Sequence, residues 1–235
     1  MKLAVFGCSW TYGVTVEWSK KTTSLKYKNN IPQDDFVNWT RELGKLCPNF
    51  EIYNYAIPGT SIEFSLGMLE RYLKNPHCDF IIFQLTRPYR YTYWSQDFDE
   101  TLHFKKYEPN VSQFDYSILD YVTIIDHHND NNKIWNVLNK PDIENQYIKK
   151  YFTNTSNEMF ENNYKAITSY IKDKVDICFS HESNGLTNSV QDTLGDKMFE
   201  NYWMDEGKHF GIIGAQWQAK WVLDQINTCR GCENE

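Results

Sequence analysis

The sequence predicts a three-layer α/β/α domain built on a parallel sheet, and three observations carry that prediction. Three short apolar runs, Lys2–Phe6, Glu51–Ala56 and Asp79–Leu85, read as buried strands. Segments with a helical spacing of apolar residues separate them, and strands that alternate with helices require crossovers that cover a parallel sheet on both faces. The 235 residues hold no linker-like or repeated stretch, and a chain of this length buries roughly 70–75% of its unfolded surface, enough for one full core.

Taken in order, the first run is followed by a helical pattern over Gln33–Cys47, where Phe36, Val37, Trp39, Leu43 and Leu46 fall near a 3.6-residue period. After the second run, Ser61–Lys74 places Ile62, Leu66, Leu69 and Leu73 on one face. A later helix is expected from a cap region at Thr153–Ser156 to Lys172, followed by a fourth strand at Val175–Ser180. The last helix is expected at Ile212–Ile226, with Trp217, Trp221, Val222 and Ile226 toward the core. Residues 86–150 break the rhythm and read as a large insertion after the third strand, packed over the sheet's carboxyl edge. Between Ser95 and Asn132 there are eight acidic residues and two lysines, a net of 2 − 8 = −6. Eleven aromatics fall between Tyr89 and Trp135, which argues against disorder.

Composition narrows the function. The net charge is 24 − 31 = −7, against a nucleic-acid binder with a basic face. No run approaches the roughly 18–20 apolar residues of a membrane span. The apolar run in Met1–Cys8 is five residues long, too short for the core of an export signal. A cytoplasmic protein with reduced cysteines is therefore expected, for which the glycosylation triplets at Asn38, Asn110 and Asn154 carry no meaning. Trp, Tyr and Phe together make up 16% of the chain; such rings fill cores and also line substrate clefts.

The strongest chemical signal is Phe6-Gly7-Cys8-Ser9-Trp10-Thr11-Tyr12-Gly13, directly after the first strand. In an open parallel sheet, ligands bind beyond the carboxyl ends of the strands, so Ser9 stands where a nucleophile would be presented. An ordinary βα turn with a capping serine is the plain alternative. The glycine spacing of a dinucleotide loop and the lysine of a P-loop are both missing.

The segment Gly7-Cys8-Ser9-Trp10-Thr11-Tyr12-Gly13 resembles the first block, G-D-S-x-T-x-G, of the SGNH (GDSL-like) hydrolases, with Cys8 in place of the aspartate. Asn54-Tyr55-Ala56-Ile57-Pro58-Gly59-Thr60-Ser61 resembles the second block, in which the glycine matched by Gly59 donates its N–H to the oxyanion. Asp205-Glu206-Gly207-Lys208-His209-Phe210-Gly211-Ile212-Ile213-Gly214 resembles the last block, with an acid ahead of the catalytic histidine and a glycine five residues after it. The resemblance implies a flavodoxin-like fold and ester hydrolysis in which Ser9 attacks, His209 takes its proton and a carboxylate orients the imidazole. Ser9 and Gly59 N–H groups would hold the oxyanion. The substrate would be a small acyl ester or an acetylated carbohydrate, with no cofactor and no metal.

Two departures stand out. The third block, G-x-N-D, has no counterpart in Gln84-Leu85-Thr86-Arg87-Pro88-Tyr89-Arg90, so Thr86, Arg87 and Arg90 are the candidate oxyanion or substrate-binding groups. The D-x-x-H spacing falls on Glu206, with Asp205 one residue earlier; the shorter side chain favours Asp205 and the spacing favours Glu206. The same residues also suit a non-catalytic carbohydrate- or ligand-binding domain, or an acyltransferase. Weaker signals compete. His181, after the fourth strand, is an alternative base that lacks the glycine-helix context of His209. Asp126-His127-His128-Asn129-Asp130 reads as a solvated loop before it reads as a metal site. Cys229 and Cys232 have redox spacing but no second pair of ligands.

Overall fold

The computed structural model describes residues 1–15, 36–86, 90–94, 104–114, 121–129, 132–138, 157–182, 184–194 and 212–232. Strands β1 (Lys2–Phe6), β4 (Glu51–Asn54), β5 (Phe80–Leu85) and β11 (Ile177–Ser180) are the predicted runs. With β8 (Val111–Phe114) and the two-residue β12 (Asn188–Ser189), they make six parallel strands. A seventh, β7 (Phe104–Glu108), runs antiparallel to β8 and closes that edge. The strand order is β12-β11-β5-β1-β4-β8-β7. Val14–Thr15 (β2) and Phe36–Val37 (β3) pair separately.

Side-chain alternation along β1 splits the core in two. Leu3 and Val5 face helices α2 (Trp39–Leu46), α5 (Val190–Leu194) and α6 (Ile212–Cys232), packing with Trp39, Leu43, Val190, Ala219, Val222 and Ile226. Ala4 and Phe6 face α3 (Ile62–Leu73) and α4 (Asn157–Lys172), packing with Met68, Leu69, Tyr72, Tyr164 and Ile171. The result is the predicted layering, helices on both faces of a parallel sheet. On the second face Phe6 stacks on Tyr55 at 4.9 Å and meets the edge of Tyr72 at 5.6 Å. No helix among the described residues is long and apolar enough to cross a membrane.

Several boundaries differ from expectation for local reasons. α2 starts at Trp39, because Asn38 is extended (φ −151°) and its side chain caps the helix by accepting from the Arg41 N–H; Phe36 and Val37 belong to β3 instead. α3 is capped by Ser61 in the same way. β4 ends at Asn54, yet Tyr55 and Ile57 continue to donate to Val5 and Gly7 carbonyls. α6 runs six residues past Ile226, since no glycine or proline follows Ile226 until Gly231. The Thr153–Ser156 cap lies outside the described residues.

Residues 86–150 depart most from expectation. They do not simply overlie the sheet edge: β8 pairs with β4 and extends the main sheet, and Phe114, wholly buried, belongs to the core under α3. A separate antiparallel sheet forms from β6 (Arg90–Trp94), β9 (Tyr121–Asn129) and β10 (Asn132–Leu138). Asp126–Asn129, expected in a loop, lie on β9. Of this sheet, β6 meets the carboxyl edge, where Thr92 accepts from the Ser61 N–H at 2.8 Å.

Candidate functional site at the carboxyl edge

The turn after β1 sits where the chain diverges. From β1 the chain crosses to β4 on one side, and from β5 it leads to β11 on the other. Such a reversal of strand order opens a crevice at the carboxyl ends. Ser9 opens the short helix α1 (Ser9–Tyr12) at that point, directly above the centre of the sheet, and is 6% exposed.

Four strand ends are joined around it. Ile57 N–H donates to the Gly7 carbonyl at 3.1 Å, bringing the β4 turn beside the β1 turn. Gly59 in that turn has φ +71°, a conformation that glycine adopts without the steric cost other residues meet. Thr86, past β5, donates its hydroxyl to the Thr60 carbonyl at 3.3 Å, and Arg90 Nη1 donates to Thr86 Oγ1 at 3.2 Å. Tyr164 of α4 donates to the Thr86 carbonyl at 2.8 Å, and burial pushes its phenol well above the ordinary range, so it stays a neutral donor. From β11, the His181 ring lies against Trp10 with centroids 4.1 Å apart, and its Nε2 is 3.1 Å from Gln218 Oε1 on α6.

Beneath Ser9 lies a layer of buried amides and hydroxyls that sequence reasoning missed. Gln84 Oε1 accepts from Cys8 N–H at 3.3 Å, Cys8 Sγ at 3.4 Å and Thr11 Oγ1 at 3.2 Å, while Gln84 Nε2 donates to the Leu85 carbonyl. Trp39 Nε1 donates to Thr11 Oγ1 at 3.2 Å. The carbonyls that end α1 are met from three directions. Asn54 Nδ2 donates to Thr11 O at 2.9 Å; Asn38 Nδ2 and Gln113 Nε2 donate to Tyr12 O at 2.7 and 2.8 Å. A helix of four residues makes few bonds of its own, and these amides supply what it lacks.

Of the residues singled out from sequence, the structure brings Ser9, Gly59, Thr86 and Arg90 to one edge, with His181 beside them. Thr86 spends its hydroxyl proton on Thr60 and so does not aim it at the space over Ser9. Arg87, Asp205, Glu206 and His209 lie outside the described residues. The helix that follows the last three does run from this edge: Gln218 meets His181, while Cys229 and Arg230 reach Asp176 and Met1 at the opposite end. Ile212, six residues before Gln218, therefore starts α6 about 9 Å along the helix axis from Gln218, at 1.5 Å per residue, on the side away from Asp176 and Met1. Among the cysteines, burial pushes the Cys178 thiol up to about 12, an inert structural side chain. Comparison with known protein families, with characterised proteins and with solved structures gives no match.

Proposed function

We propose that the chain is a serine ester hydrolase of SGNH type, in which Ser9 attacks an acyl carbonyl, His209 is the base and Asp205 or Glu206 orients it. The observation that carries this reading is the position of Ser9 at the first residue of a helix over the crevice between β1 and β5. With the β8–β7 edge left out, the strand order β4-β1-β5-β11-β12 matches the 2-1-3-4-5 order of flavodoxin-like sheets, which supports this reading, and the blocks containing Ser9 and Gly59 are tied by the Ile57–Gly7 bond. The block containing His209 immediately precedes a helix that begins at the same edge.

The Ser9 and Gly59 amides are the oxyanion donors in this reading, each typically worth about 3–4 kcal/mol in the transition state. Thr86 acts through its neighbours, fixing the Gly59–Thr60 turn and receiving Arg90, whose guanidinium supplies positive charge beside the crevice. The −6 charge of residues 95–132 disfavours polyanions, so a short acyl ester or an acetylated neutral glycan is the substrate class, with the aromatics of the 86–150 segment along one wall.

A second reading, a ligand-binding domain on the same fold, is favoured by two observations: Ser9 is 6% exposed, and Thr86 offers no spare hydroxyl proton. A fluorophosphonate probe separates the two. The hydrolase reading expects covalent labelling of the wild type that vanishes in Ser9→Ala; an unlabelled wild type supports the binding domain.

A further inference from the structure

We propose that Gln84 is a positioning residue that holds the Ser9 turn from below, through its side-chain carbonyl. The kinetic part of this proposal rests on the serine reading above; its structural part does not. The roles of the atoms follow from donor chemistry. The Cys8 N–H can only donate, so the Gln84 atom facing it at 3.3 Å is the oxygen. Trp39 Nε1 can only donate, so Thr11 Oγ1 accepts from it and sends its own proton to the same oxygen. With Cys8 Sγ as a third donor and Nε2 engaged by the Leu85 carbonyl, both ends of the amide are held in one rotamer.

Two further observations point the same way. β5 is covered on both faces, where side chains are ordinarily apolar, yet Gln84 is 1% exposed; a buried amide is costly unless bonded. A Cβ on Gly7 would come within 2.8 Å of Gln84 Oε1 and 2.9 Å of Thr11 Oγ1. The glycine of the first block thus lets the backbone close down onto this amide, which fixes residues 7–11 from beneath. A displacement of the nucleophile on the order of 1 Å costs about a hundredfold in rate, so the anchor bears on chemistry without touching substrate.

The test is Gln84→Leu, which keeps the bulk and removes the acceptor. Amide hydrogen exchange over residues 7–13 should rise about tenfold to a hundredfold, the range for stranding a buried donor, while α3 and α6 keep wild-type protection. The rate of fluorophosphonate labelling should fall by a similar factor, about tenfold or more, with little change in the probe concentration that half-saturates it. Exchange over 7–13 that rises no more than elsewhere overturns the proposal, and so does wild-type labelling by the folded variant. If the wild type itself is not labelled, the serine reading fails, and the exchange comparison alone decides the role of Gln84. If Gln84→Leu does not fold, Thr11→Val and Thr11→Ser are compared: faster exchange in the valine variant with protection restored by serine supports the anchor, and equal exchange in both overturns it.

Discussion

Replacing Asn54 by alanine should destabilise the domain more than its position at a strand end suggests. Asn54 is fully buried and makes three bonds: Nδ2 to the Thr11 carbonyl at 2.9 Å and to Thr40 Oγ1 at 3.2 Å, and Oδ1 from the Ala56 N–H at 3.0 Å. Truncation strands the Ala56 donor and the Thr11 acceptor, and each buried group left unmet costs about 1–3 kcal/mol. Thr40 loses less, because its hydroxyl still donates to Asn38 Oδ1 at 2.8 Å. The sum is about 2–6 kcal/mol, or roughly 4–24 °C in Tm for a domain of this size. Urea unfolding followed by far-UV circular dichroism measures it, with an unchanged m-value showing that the loss is in stability. A loss below about 1 kcal/mol would mean that water replaces these bonds, and the claim that buried amides clamp the Ser9 turn would fail with it.

Further outcomes are expected at Cys8 and for the proposed acid and base. Cys8→Ser should keep the fold and fluorophosphonate labelling, whereas Cys8→Asp should lower stability by about 1–3 kcal/mol, because a carboxylate would face the acceptor Gln84 Oε1; thermal melts of both variants check it, and a stable Cys8→Asp refutes it. His209→Ala should lower ester hydrolysis by about a thousandfold or more with little change in Tm, and Asp205→Asn should cost more than Glu206→Gln. An active His209→Ala beside an inactive His181→Ala would transfer the base to the residue that packs on Trp10.

What could be read from sequence was whatever repeats with the period of a secondary structure. β1, β4, β5 and β11 were visible as apolar runs because a parallel sheet buries both faces, and α3 was visible because Ile62, Leu69 and their neighbours recur on one side. β8 was not, because Val111-Ser112-Gln113-Phe114 is too short and too polar to stand out within an acidic stretch. Its burial comes from pairing with β4, a contact between residues some sixty positions apart. The site divides in the same way. Ser9 and Gly59 were found because glycines mark turns, whereas Gln84, Asn38 and Gln113 were passed over as ordinary polar residues. A signal was present: Gln84 and Asn54 are amides near the carboxyl ends of β5 and β4, beside apolar neighbours. There burial is expensive and a bonded partner is the only compensation.

These amides also bear on the electrostatics of the reaction proposed for Ser9. Gln84, Asn54, Asn38 and Gln113 are neutral, so the turn is fixed without a buried charge in its anchoring layer. A carboxylate at position 8 would meet the acceptor Gln84 Oε1 without a proton to give it, and its field would oppose the negative charge that develops on the oxyanion above it. With Cys8 and Gln84 in that place, the donors that meet the oxyanion work against no anion in the layer beneath them. Neutral anchors also cost less to desolvate than an ion pair, so the turn gains rigidity without an added penalty from burying charge. The positive charge of Arg90, held on Thr86 at 3.2 Å, then lies beside a crevice floor built of dipoles. An attacking serine benefits most from such preorganised dipoles, because they need not reorient as charge forms. In this reading Cys8 and Gln84 act as one neutral anchor beneath Ser9, joined by the hydrogen bond from Cys8 Sγ to Gln84 Oε1 at 3.4 Å.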